Sequence, residues 1–198
     1  MKSDKSLIRF SERREHELII SRRRVLKLGF LSALMGISPQ TVFGSPAGVS
    51  PPERSLAFYN THTGERLKTV YWVEGNYLSE SLGEINYILR DHRTDAIKEI
   101  DPRLLDLLFA VRNTLSTNES FHIISGYRSA ETNGLLRAQS AAVAVHSLHL
   151  HGKAIDVRVP GRALPVLRNV AMTLKGGGVG YYPKSNFVHV DVGRVRTW

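Results

Sequence analysis

Ser147-Leu148-His149-Leu150-His151-Gly152-Lys153-Ala154-Ile155-Asp156 and, near the C-terminus, Phe187-Val188-His189-Val190-Asp191 decide how this chain is read. Both stretches mix imidazoles and carboxylates with short apolar runs, as strands do when they carry polar side chains into a cleft. Residues two apart on a strand share a face, so His189 and Asp191 are expected on one side. His149, ahead of the Gly152 bend, and Asp156, inside the next strand, are expected to reach the same cleft from a neighbouring strand. His149, Asp156 and His189 then hold one Zn²⁺ and leave its fourth position to water. Two nitrogens, a carboxylate and an open corner make the donor set of a catalytic zinc, whereas structural zinc is usually closed by four ligands, mostly Cys. The chain has no Cys. Mn²⁺ and Fe²⁺ suit the same ligand types. Asp191 either faces the same cavity or orients His189 from behind, and His146 and His151 are the nearby alternative ligands.

The flanking elements are scaffold for these stretches. Phe121-His122-Ile123-Ile124 reads as a strand that delivers Ser125-Gly126-Tyr127-Arg128-Ser129, with Gly126 allowing a sharp exit and Arg128 set at the sheet edge. A guanidinium there binds a substrate carboxylate, polarises a carbonyl through its fixed fork, or forms a surface ion pair. Residues 130–144 read as a helix running into a loop, and residues 163–174 as an amphipathic helix. Gly176-Gly177-Gly178-Val179-Gly180-Tyr181-Tyr182 and residues 186–193 form a hairpin across Pro183-Lys184-Ser185, with the two tyrosines lining a groove or packing the hairpin. Upstream, residues 55–60 and 67–73 form a hairpin with Gly64 at positive φ. Leu82, Ile85, Ile88 and Leu89 recur at helical spacing after Ser79 or Ser81, and Glu84 lies three residues beyond Ser81 as in a capping box. Asp101-Pro102 opens the next helix, Asp as N-cap and Pro at the first helical position. Asp91-His92-Arg93 between these helices is a weak candidate for acid/base or metal chemistry.

Composition bounds the function. With 198 residues, 42% hydrophobic and 23% charged, the chain suits one globular domain with its own core. Its net charge is +9, but residues 1–44 hold nine basic and four acidic side chains, which leaves the remainder at +4. A moderately basic domain suits an acidic polymer such as cell wall. Nucleic acid calls for a dense basic stripe interleaved with aromatics, and Arg194 and Arg196 are too few to make one, so no nucleic-acid partner is expected. Arg22-Arg23-Arg24-Val25-Leu26-Lys27 precedes an apolar run, residues 28–37, too short to span a bilayer. That pairing reads as a twin-arginine signal over residues 1–44, cut after Gly44, with the membrane met only in transit. Residues 45–54, with three prolines, are expected to be a flexible leader.

Four motifs in this order resemble a known family: Ser125-Gly126-Tyr127-Arg128-Ser129; Ser147-Leu148-His149 through Asp156; Gly177-Gly178-Val179-Gly180-Tyr181-Tyr182-Pro183; and Asn186-Phe187-Val188-His189-Val190-Asp191. They look like the zinc peptidases of bacterial cell walls grouped as lysostaphin-type, D-Ala-D-Ala carboxypeptidase and hedgehog-like (LAS) folds, and within them the murein endopeptidase K branch. The resemblance covers residues 55–198 and the signal. It implies an α+β fold with a small antiparallel sheet and flanking helices, and one zinc on His149, Asp156 and His189. It also implies twin-arginine export to the periplasm and hydrolysis of the stem-peptide cross-links of peptidoglycan, between meso-diaminopimelate residues. An arginine at the place of Arg128 meets the scissile carbonyl or oxyanion in that family. Many relatives carry a Glu base three residues before the last histidine. Asn186 stands there and cannot take a proton, so Asp191 is the first candidate base and His146 the second. A carboxypeptidase trimming D-amino acids from stem peptides and a non-catalytic wall-binding module are the competing functions.

Overall fold

The structure is a computed structural model and describes residues 52–140 and 143–198. The expected signal at 1–44 and most of the expected leader lie outside the described residues. Strands β1 (Glu53–Asn60) and β2 (Arg66–Val73) form the first hairpin, and Gly64 in its turn has a φ of 76°. After the short β3 (Asn76–Tyr77), helix α1 (Ser79–Ile88) starts from Leu78 with no side-chain cap. The Ser81/Glu84 capping box is therefore not formed, because the helix begins early enough to enclose Ser81. Helix α2 (Pro102–Thr114) starts as its sequence predicts, with the Asp101 carboxylate accepting from the Arg103 amide at 3.0 Å.

Strand β4 (Phe121–Ser125), helix α3 (Ala130–Gln139), a 3₁₀ turn (Leu148–His151) and strand β5 (Ala154–Arg158) follow. Helix α4 (Leu164–Leu174) then leads into β6 (Gly178–Tyr182), β7 (Phe187–Asp191) and a two-residue β8 (Arg196–Thr197). Among the described residues no helix is long and apolar enough to cross a membrane.

The fold is α+β, but its sheet is not the small antiparallel one expected. Eight strands form one mixed sheet in the order β3-β2-β1-β4-β5-β7-β6-β8, in which β1 pairs with β4, and β6 with β8, in parallel. The β1–β4 pair is parallel because the chain between them runs out through β2, β3 and two helices before returning, a crossover long enough to reverse direction twice.

Alternation along the central strands separates core from site. Ile155 and Val157 of β5, and Val188 and Val190 of β7, join one buried cluster with Leu104, Leu105 and Leu108 of α2 and Leu167 of α4. The residues between them, Asp156 and His189, are carried to the opposite face by the two-residue period.

Asp91 ties the helical layer to this face. The side chain is 1% exposed; it accepts from the Ser129 amide at 2.8 Å and the Arg93 amide at 3.0 Å, and so fixes the start of α3 beside Arg128. It is a brace rather than an acid/base group. Burial alone would raise its pKa, but the Thr132 hydroxyl facing it and the amides of Ser129 and Arg93 outweigh burial and hold it well below the usual carboxylate range. A group with a depressed folded pKa stabilises fully above its unfolded value, about 3.9, and loses that contribution as the pH falls below it. Asp91→Asn is expected to cost about 1–3 kcal/mol at pH 7, and urea unfolding at pH 7 and pH 3 should find the gap to wild type narrowed at the lower pH.

Candidate metal centre and substrate cleft

Each proposed ligand is set by a separate local constraint. Asp156 and His189 are directly opposite across the β5–β7 ladder, so both project on the same face. His149 comes from the 3₁₀ turn rather than a strand. Ser147 caps that turn through its hydroxyl, and Gly152 ends it at φ 63°, where a side chain would run into the Glu99 carbonyl. The Asp101 amide donates to the Gly152 carbonyl at 2.9 Å and anchors the turn to the entrance of α2.

The structure brings the three side chains together in a buried group able to hold a metal ion, one ligand atom from each lying within 4.8 Å of the others. His189 Nδ1 is 2.9 Å from Asp156 Oδ1, and His149 Nε2 is 3.2 Å from His189 Nδ1 and 3.3 Å from Asp156 Oδ1. Tetrahedral ligands at bonds of about 2.0–2.1 Å lie roughly 3.3 Å apart, so these spacings fit one zinc. The outer ring nitrogens fit as well. His149 Nδ1 donates to the Gly126 carbonyl at 2.7 Å, and His189 Nε2 to Asp191 Oδ2 at 3.0 Å, which turns the other nitrogen of each ring toward the shared point.

Charge is concentrated here. Burial would raise the Asp156 pKa, but His149 and His189 beside it outweigh burial and hold it well below the usual range. Burial would likewise lower the His189 pKa, yet hydrogen bonds to Asp156 and Asp191 raise it to about 9. A metal entering the group therefore competes with a proton.

The group forms the floor of a cleft of about 610 Å³. Leu136, Val143, His146 and Leu148 line it, as do Tyr182, Phe187, Arg196 and Trp198. Arg128 also lines the cleft and is partly buried. Its Nη2 lies 3.7 Å from Asp156 Oδ2, while its hydrogen bonds to Asn133 Oδ1 and Ser125 Oγ are both long at 3.4 Å. A fork so weakly engaged retains donors for a ligand. Tyr182 lines the cleft and stacks on Phe187 at 4.6 Å, whereas Tyr181 packs against the core beneath Arg168.

The candidate bases separate clearly. Asp191 is 0% exposed and does not line the cleft. Its oxygens accept from the amides of Gly178 and Gly193 at 2.9 and 2.8 Å, from His189 Nε2, and from both terminal nitrogens of Arg196 at 3.1 and 2.7 Å. His189 and Arg196 outweigh the opposing effect of burial and hold its pKa well below the carboxylate range. His146 is exposed and lines the cleft, His151 is exposed outside it, and His62 and His92 stack on each other elsewhere at 3.8 Å.

Arg196 and Trp198 are the site residues that sequence reasoning missed. Strand β8 is too short to carry a period, and the available signal was the spacing of Arg196 and Trp198, two apart as Gly178 and Gly180 are.

The family model described as peptidoglycan L,D-endopeptidase MepK matches residues 49–198. The chain is 42% identical over 178 residues to the peptidoglycan L,D-endopeptidase MepK of Escherichia coli (strain K12), covering 90% of this chain and 97% of that relative. It is 40% identical over 179 residues to the probable peptidoglycan L,D-endopeptidase MepK of Haemophilus influenzae, covering 90% and 95%.

Zinc added at 100 times its dissociation constant to chelator-stripped protein is expected to stabilise it by about 2.7 kcal/mol, or roughly 5–10 °C in thermal midpoint. Calorimetry should find one zinc per chain, and no such shift in His149→Ala or His189→Ala.

Proposed function

Because the chain belongs to the peptidoglycan L,D-endopeptidase MepK family, we propose that it hydrolyses peptide cross-links of peptidoglycan between meso-diaminopimelate residues, with one zinc held by His149, Asp156 and His189. The observation that carries this reading is the convergence of His149 Nε2, His189 Nδ1 and the Asp156 carboxylate in a cleft of about 610 Å³. The α+β sheet is read as LAS-type on the same resemblance.

Zinc bound there supplies Lewis acidity, which polarises an amide carbonyl and makes a water acidic near neutral pH. The protein supplies the rest. Arg128 is placed to meet negative charge developing on the carbonyl oxygen, since its two Nη groups have only long protein contacts and the cleft it lines is partly apolar. His146 is the base in this reading: it is the cleft-lining imidazole outside the ligand group, and a ring nitrogen can accept a proton from water and return it to a leaving group. It takes the proton from the attacking water and delivers it to the leaving amine.

Asp191 has the other role considered for it. A fully buried carboxylate whose oxygens already accept five hydrogen bonds orients His189 and is closed to a water in the cleft. Tyr182, Phe187 and Trp198 give the stem peptide an aromatic wall. Residues 1–44, as a twin-arginine signal, would deliver the enzyme through that translocase to the periplasm, where its substrate lies.

Purified protein incubated with L,D-cross-linked muropeptide dimers is expected to yield monomers, and a chelator should stop the reaction. Shortened monomers would instead mark a carboxypeptidase, and retention on sacculi without soluble release a binding module. His146→Ala is expected to lose about 10²- to 10⁴-fold in kcat with zinc content unchanged; undiminished turnover would remove His146 from the base role.

A further inference from the structure

We propose that β8 is a clamp on the metal site, with Arg196 acting as a positioning residue for His189 through Asp191. The inference rests on the zinc reading above.

Strand β8 pairs in parallel with β6, Gly178 opposite Arg196 and Val179 opposite Thr197. Arg196 and Trp198 are therefore two residues apart on one face, in register with Gly178 and Gly180 on the neighbouring strand. Both glycines make room for these side chains. A Cβ at Gly178 would meet the Arg196 guanidinium and Asp191 Oδ2, and a Cβ at Gly180 would lie 2.7 Å from the Trp198 indole. The alternating glycines of β6 thus form a shelf cut to the side chains of β8.

Both side chains converge on His189. Arg196 binds Asp191 through two parallel bonds, Nη1 to Oδ1 at 3.1 Å and Nη2 to Oδ2 at 2.7 Å, and Oδ2 is the atom that accepts from His189 Nε2. Trp198 lies with its ring 5.2 Å from the His189 ring, is held by a 2.7 Å bond from its Nε1 to the Tyr182 hydroxyl, and has the Arg196 guanidinium 4.8 Å away. The fork fixes where Oδ2 can lie, Oδ2 keeps the proton of His189 on Nε2, and Nδ1 is left to face His149 and Asp156. Lys in place of Arg196 would supply the charge without the fork, so it would hold Asp191 less firmly. A buried carboxylate without its cation is costly and tends to move, which would release the ring.

The test uses the full-length protein as wild type, Arg196→Lys and Arg196→Ala, with zinc affinity read by chelator competition. The His189 Nε2–H resonance is followed in the zinc-loaded proteins, and thermal midpoints are read after stripping. Arg196→Ala is expected to bind zinc about 10- to 100-fold more weakly and to lose or broaden that resonance, with Arg196→Lys intermediate in both. Affinity within twofold of wild type and an unchanged resonance in Arg196→Ala would overturn the clamp. If stripping shows that Arg196→Ala does not fold, Arg196→Lys decides on the same two readouts. A wild type that binds no zinc overturns the metal reading and this inference with it; failure of the clamp alone leaves the wild type loaded.

Discussion

Two side chains opposite each other across one antiparallel ladder, Asp156 on β5 and His189 on β7, set the terms for the rest of the molecule. Both are buried, and both sit on the face that the valines and isoleucines of the same strands do not use. A slip of one residue in that ladder would send carboxylate and imidazole to different faces and push Val157 or Val188 into the cleft. The hydrophobic core under α2 and α4 therefore protects the site as well as the fold, because the register that buries the apolar side chains is the one that pairs the polar ones.

Placing so much buried charge in one spot is costly unless each group is answered. Here each is. Asp156 has two imidazoles and, farther off, Arg128; Asp191 has two amides, one imidazole and a bidentate guanidinium; His149 has the Gly126 carbonyl. The network draws on four elements, with His149 from a 3₁₀ turn, Asp156 from β5, His189 and Asp191 from β7, and Arg196 from β8. The three inward donor atoms are the part of the network that only a cation or a proton completes, and this is why the site reads as a metal centre rather than as a structural salt bridge.

How much of this was legible in the sequence follows from the range of each interaction. Local signals were readable: Asp101 capping α2, Gly64 in its turn, and the apolar alternation that set Asp156 and His189 off from Ile155, Val157, Val188 and Val190. The spacing of His149, Asp156 and His189 raised the site, although His149 arrives on a 3₁₀ turn and not on a strand. Long-range choices were not readable. Nothing local tells β1 to pair in parallel with β4 sixty residues later, and a sheet expected to be small has eight strands. The Ser81/Glu84 spacing matched a capping box, but the helix begins at Ser79, the other start its sequence offered, and encloses Ser81. Asp191 shares a face with His189 as strand period requires; what the sequence hides is that Arg196 and two amides close over it. Arg196 enters the sequence reading only as one of two arginines too few for a nucleic-acid stripe, because its partner Asp191 lies on β7, with β6 between it and β8.

The central claim is that two imidazoles and one carboxylate surround a single ion with a corner open to the cleft. Anomalous diffraction from crystals of the zinc-loaded protein, recorded on both sides of the zinc edge, tests it most directly. The account predicts one peak at bonding distance from His149 Nε2, His189 Nδ1 and the Asp156 carboxylate, with no fourth side chain on it. A peak elsewhere, or one closed by a fourth protein ligand, would contradict it.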